Sequence, residues 1–264
     1  MQTRFEVISY SIDALKRLLA KKSQPSIIAR KLHSIYFENY FSELNTKVIV
    51  VEYDYIDRDF LEDYAGYYVR CFHSYDRKCA RLHFFGIEFT ESDFKNLLIG
   101  SSSNISALSL QDSYQGFMVI KPLPQTIIGR TCLKTYDDDN GRRYYPTIHK
   151  YETSLYGIPL SINSLPFQEQ DQVVAACATS SLWSAFHRTG KLYHHQIPSP
   201  VEITRIASAI PTEFESRAFP NKGLTGTQIV HAIRAVGLEP MSVTANDEFV
   251  LKNTCWSSPK KMDT

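Results

Sequence analysis

The run Lys47-Val-Ile-Val-Val-Glu-Tyr53 constrains this chain more than any other stretch. It is β-branched and continuous rather than alternating, the texture of a strand buried on both faces. The flanking sequence offers elements to pack with it. Residues 5–10 alternate as a short strand. Residues 11–22 place Ile12, Leu15, Leu18 and Leu19 at helical spacing and close on basic residues. Pro25 suits the first turn of a second helix through Ile27, Ile28 and Leu32. Beyond the run, Asp57 opens an acidic first turn, and Phe60, Leu61, Tyr64, Tyr67, Tyr68 and Phe72 follow as a broad helical face. Residues 81–85 return as a strand, and Thr90 with Asp93 forms a capping-box pattern ahead of Phe94, Leu97 and Leu98.

After a loop at residues 101–104 the texture becomes β-rich. Residues 114–121 and 126–136 read as strands separated by Pro122-Leu-Pro124. Asp137-Asp-Asp-Asn-Gly141 is a turn in which Asn140-Gly141 supplies the positive φ of a tight hairpin. Helical patterns then dominate, at residues 175–188, 201–209 and 225–236, with a short strand at 239–244. Pro198 and Pro200 introduce the second of these helices with Ser199 as its cap, and Gly237 closes the third. A composition shift near residues 155–165 divides the chain into an N-terminal α/β or α+β domain, residues 1–154, ending in a small antiparallel sheet, and a second unit, residues 155–264.

The bulk chemistry excludes several classes. With 29 basic and 28 acidic residues, scattered rather than striped, nothing points to a nucleic-acid partner. No apolar stretch approaches membrane-span length and the N-terminus lacks a signal-peptide pattern, so the expectation is a cytoplasmic protein with no membrane partner. The five cysteines are widely spaced, with no CxxC pair, which argues against a disulfide framework or a zinc knuckle. His33, His73 and His83 could be drawn together with Cys71 and Cys79 as a metal site. Cys71 and His73 are too close to share a helical face, however, and Cys79 begins a strand, so structural roles and no metal are expected. The aromatics Tyr64, Tyr67, Tyr68, Phe84 and Phe85 read as core rather than a ligand platform.

The stretch that carries chemistry is Leu165-Pro-Phe-Gln-Glu-Gln-Asp-Gln-Val-Val-Ala-Ala-Cys-Ala-Thr-Ser-Ser-Leu-Trp183. It sets a cysteine at the beginning of a helix, behind a cluster of glutamines. A thiol attacks as the thiolate, and the positive end of a helix dipole stabilises that anion. The oxyanion that follows needs donors already in place, here the Cys177 backbone N–H and a side-chain amide from Gln170 or Gln172. Gln170 is favoured because Gln170-Asp171 can initiate the turn before the helix. Ala178, Leu182 and Phe186 form an apolar seam at i, i+4 spacing, leaving Cys177, Ser181 and Ser184 on another face.

The Gln…Cys-Ala-Thr-Ser-Ser-Leu-Trp arrangement resembles the first helix of papain-like cysteine peptidases, especially the bacterial C39-like peptidases. Gly223-Leu-Thr-Gly-Thr-Gln-Ile-Val-His-Ala-Ile-Arg-Ala-Val-Gly237 resembles the same relatives, in which a Gly-rich turn leads into a helix. The likeness covers roughly residues 165–245. It departs from the family at the glutamine, because the commonest spacing of six falls on Asp171. The resemblance implies an α+β fold, with the N-terminal domain followed by the helical lobe of a papain-like domain whose β-lobe is largely missing. It implies a cysteine hydrolase, most readily a peptidase cleaving a peptide or isopeptide bond of a peptide or protein substrate, with Cys177 as nucleophile and no cofactor.

It also implies an imidazole on a strand well downstream, beyond the matched part. His231 reads as structural among Ile229, Val230 and Ile233. His187 sits about 15 Å along the nucleophile's own helix by helix rise, and His194-His195 falls in a loop. The expectation is therefore a base beyond Thr264, or a truncated or degenerate homologue. Two rivals follow: a non-catalytic interaction or regulatory protein that keeps the lobe as a scaffold, and a thiol acyltransferase or transglutaminase-like enzyme.

Overall fold

The computed structural model describes residues 4–20, 33–137, 139–171, 174, 176–209, 223–244 and 247–250. Five strands form one sheet in sequential order: β1 (Phe5–Ser9), β2 (Val48–Tyr55), β3 (Cys79–Phe85), β4 (Tyr114–Ile120) and β5 (Ile128–Leu133). Every pairing is antiparallel, so the fold is α+β. Of the two arrangements expected for the N-terminal region, α/β and α+β, it takes the second, a meander with helices inserted between its strands. Helices α1 (Ile12–Ala20) and α2 (His33–Glu43) pack against each other, returning the chain to the end of the sheet it left. The helix expected from Pro25 falls largely on residues 21–32, outside the described residues.

The continuous apolar run becomes β2 because both faces of the sheet are covered. Ile49 and Val51 point to one face, against Leu15, Leu18 and Leu19 of α1 and Phe37, Tyr40 and Phe41 of α2. Val48 and Val50 point to the other, where they share a core with Phe60, Phe94, Leu110 and the strands β6 (His149–Leu155) and β7 (Ile158–Ser164). Phe60 comes from α3 (Arg58–Gly66), Phe94 from α4 (Glu91–Leu98) and Leu110 from α5 (Ala107–Asp112). Each fully buried phenylalanine contributes roughly 2–3 kcal/mol of transfer free energy.

Local signals held where they were chemical. Asp57 caps α3, accepting a hydrogen bond from the Phe60 N–H at 3.0 Å. Thr90 and Asp93 close a reciprocal capping box at α4. Other expectations are corrected. The face drawn through Leu61 and Phe72 is incomplete, because both are exposed. α3 ends at Gly66, and Tyr68–Arg70 forms a separate 3-10 turn. Asp139, Asn140 and Gly141 do take positive φ (52°, 58° and 80°), yet they do not join a hairpin. One edge of β5 is paired with β4 and the other is met by Phe167, so β6 pairs with β7 instead. Residues 154 and 155, where the two units were expected to meet, are consecutive in β6. The strand expected at 239–244 is irregular chain, with Met241 and Val243 exposed.

Helices α6 (Cys177–Tyr193), α7 (Pro200–Ala207) and α8 (Gly226–Ala235) gather around Leu182, Trp183, Phe186, Ile203, Ala207 and Ala232. The lobe meets the sheet region through α7 and α3. A Cβ on Gly66 would lie 2.6 Å from Val201 Cγ2, so only glycine permits this approach. Pro200 begins α7 as expected, but Ser199 makes no capping hydrogen bond. The buried Asp63 carboxyl of α3 supplies that acceptor instead, taking the Val201 N–H at 2.9 Å. Burial raises the Asp63 pKa well above the ordinary carboxylate range.

Candidate active site

Cys177 is the first residue of α6, and Ala176 before it has no side chain that could cap the helix. The first intrahelical bond runs from Ser180 N to Ala176 O at 2.9 Å. The N–H of Cys177 therefore has no acceptor within the helix, and the helix dipole is left open at the thiol. Cys177 is exposed, whereas Leu182, Trp183 and Phe186 turn inward. Ser181 lies one turn on, its Oγ donating to the Cys177 carbonyl at 2.9 Å.

The second half of the arrangement is set by the sheet. Phe167 exchanges two hydrogen bonds with Thr131 of β5, at 2.8 and 3.0 Å, and the Glu169 N–H donates to Ile128 O at 2.9 Å. This segment is thus a short added edge to β5, and Gln170 is the residue that leaves it. Asp171 turns the chain, its Oδ1 accepting the Val174 N–H at 2.6 Å. The result brings Gln170 to Cys177, with the thiol donating to Oε1 at 2.8 Å. A half-turn of the terminal amide would present Nε2 to the same space. Gln172 lies outside the described residues.

The other described thiols differ. Cys79 and Cys132 are buried within the sheet region. Burial holds the Cys79 pKa far above the ordinary thiol value and pushes that of Cys132 up to about 12. Cys71 is half-buried.

The imidazoles are engaged elsewhere. His187 is buried under Trp183, and its Nδ1 shares a 2.7 Å hydrogen bond with the Tyr151 hydroxyl. Burial first, then the charge of Arg130, lowers its pKa to about 3, so it stays neutral. His195 contacts Thr189 Oγ1 through Nε2 at 2.8 Å, and His194 is the left-handed C-cap of α6. His231 lies on α8. Among the described residues the Cys177 thiol has one hydrogen-bond partner, the Gln170 amide. His83 is buried in β3 against Tyr114, whose hydroxyl lies 2.9 Å from Nδ1. Among the described residues no three His, Cys, Asp or Glu side chains are grouped to hold a metal ion. Nor is any described helix long and apolar enough to cross a membrane.

A groove of about 520 Å³ begins at Gln170 and Ser181 and runs beside α6. Phe167 and Gln168 form one wall, Ser184 and Ala185 the other, and Arg188 and Thr189 lie at its far end. Ser184 ties the walls together by donating to Pro166 O at 2.6 Å. Beneath α6, Arg130 pairs with Asp57 at 2.7 Å and lies 3.9 Å from Asp59. Burial raises the Asp59 pKa to about 6 despite that guanidinium. Neither Arg188 nor the Tyr151–His187 pair was singled out from sequence. Arg188 carried no local signal, and Tyr151 reaches His187 only through the fold. Compared with known proteins, the chain matches no family model, no curated sequence and no solved structure.

Proposed function

We propose that this protein is a thiol hydrolase of papain-like kind, attacking a peptide or isopeptide carbonyl through Cys177. The observation that carries the reading is the pairing of an exposed cysteine at an uncapped helix start with the Gln170 amide, 2.8 Å away. Attack by the thiolate would place the developing oxyanion near the Cys177 N–H, and Gln170 would donate once its amide has turned. Collapse would release the amine, which takes up a proton, and leave a thioester; water would then release the acid and restore the thiol. In this reading α6, α7 and α8 are the helical lobe, and the sheet region selects the substrate or partner. A thiol acyltransferase would share the attack and differ only in the acceptor.

A second reading, a non-catalytic interaction protein built on the same lobe, is favoured by one observation. His187 and His195 are committed to Tyr151 and Thr189 rather than to the thiol. Alkylation separates the two. In the full-length protein, Cys177 is expected to react with iodoacetamide at neutral pH about tenfold faster than Cys71, read by peptide mass spectrometry. Modification no faster than at Cys71 counts against the hydrolase. Loss of the fast phase in Cys177→Ala assigns it.

A further inference from the structure

We propose that the groove beside α6 binds an extended peptide and holds an acidic side chain of that peptide on Arg188. The site rests on the hydrolase reading for its register along the substrate, but not for binding itself. Three features converge on it. The groove borders the candidate nucleophile, because Gln170 lines it and also contacts the Cys177 thiol. Its α6 side is lined by small residues, Ser180, Ser181, Ser184 and Ala185, which leave room for a backbone rather than a bulky ring. Its far end is cationic.

Arg188 spends one N–H on a long hydrogen bond to Ile148 O, at 3.4 Å, and has no carboxylate partner among the described residues. A guanidinium carries five donors in a fork that matches a carboxylate. Lys191, three residues further along the same helix, adds positive charge. Both cations, after burial, lower the pKa of His149, which marks the common field of this end. By contrast, the mouth around Cys177, Gln170 and Ser181 carries no formal charge in those side chains.

Geometry fixes the spacing. Arg188 follows Cys177 by eleven positions, a rise of about 16 Å at 1.5 Å per residue. An extended peptide advances about 3.3 Å per residue, so the acidic side chain falls about five residues from the scissile bond. The occupant proposed is an internal glutamate or aspartate, its backbone along α6 and its side chain reaching Arg188 at the far end.

The test uses full-length Cys177→Ala protein and capped, amidated decapeptides in which one position of an Ala/Ser background is Glu, Gln or Lys. Binding is read by fluorescence anisotropy at low and high salt. The Glu peptide is expected to bind about tenfold more tightly than its Gln counterpart, with the difference shrinking in high salt. Arg188→Gln should remove the preference, and Arg188→Glu should transfer it to the Lys peptide. Equal binding of Glu and Gln peptides, a preference that survives Arg188→Glu, or no binding by any peptide overturns the proposal. So does tighter binding of an uncapped peptide lacking Glu, which would make the ligand a terminal carboxylate. Thermal melts verify that each Arg188 variant is folded. Because the thiol is absent here, failure of this test is distinct from failure of the alkylation test.

Discussion

The five-stranded sheet buries Ile49, Val50, Phe84 and Phe85 completely, under cover on both faces, whereas the helical lobe is centred, among the described residues, on six buried side chains. The lobe offsets its small core with long-range polar ties. Asp63 caps α7, Tyr151 holds His187, and the Thr204 hydroxyl donates to Val174 O at 2.9 Å. The sheet is thus stabilised by burial, and the region carrying Cys177 by docking onto it. A candidate site placed on the less self-sufficient region draws its geometry from the more stable one.

That contrast can be broken from either side, beginning with the largest effect. Gly116 of β4 has φ 112°, and an added Cβ would lie 2.1 Å from Cys132 O, with no flexible side chain to yield. Gly116→Ala should therefore destabilise the sheet by about 3–5 kcal/mol and take the lobe with it, seen as a single lowered denaturation midpoint. Trp183→Ala, at the centre of the lobe, should cost about 3–4 kcal/mol. Here hydrogen exchange should rise in α6, α7 and α8 first, while β2, β3 and β4 stay protected. Uniform loss of protection would refute the division.

The polar ties give smaller effects. Asp63→Ala should cost about 1–3 kcal/mol by orphaning the buried Val201 N–H, and Asp63→Asn, which keeps an acceptor, should recover most of it. Calorimetry on the two variants decides the point.

Acid titration separates the buried groups by sign. His83 and His187 have pKa values held near 4 and 3 by burial, below the unfolded value of 6.5. The unfolded chain therefore binds protons first, and stability is lost as pH falls below 6.5. Asp59 acts oppositely: its pKa is raised from 3.8 to about 6, so its unfavourable contribution disappears as pH falls through that window. Asp59→Asn should raise the stability at neutral pH by up to about 3 kcal/mol and steepen the acid loss between pH 6 and 4. A parallel pH profile in wild type and variant would remove Asp59 from this balance.

Sequence carried the parts of this fold that are written locally. Residues 47–53 announced a doubly covered strand, Thr90-Asp93 a capped helix, and Ala176-Cys177 the start of another. It did not carry the β6–β7 hairpin, whose polar exposed positions mask the inward Leu155, Leu160 and Ile162. Nor did it carry the cap on α7, because the nearby Ser199 is silent and the acceptor lies 138 positions away. At the candidate site, the juxtaposition of Gln170 with Cys177 was legible because the two lie only seven positions apart. Arg188 was not, since a basic residue on a helix usually means a solvated face.

Pinning Phe167 and Glu169 to β5 leaves Gln170 only one residue beyond the last anchor. The stretch between residues 167 and 170 should consequently tolerate changes of side chain far better than changes of length. One inserted residue would turn Gln170 to the opposite side of the extended chain, away from the thiol. Among sequences descended from a common ancestor with this chain, insertions and deletions would then be purged from these four positions, even where their identities drift.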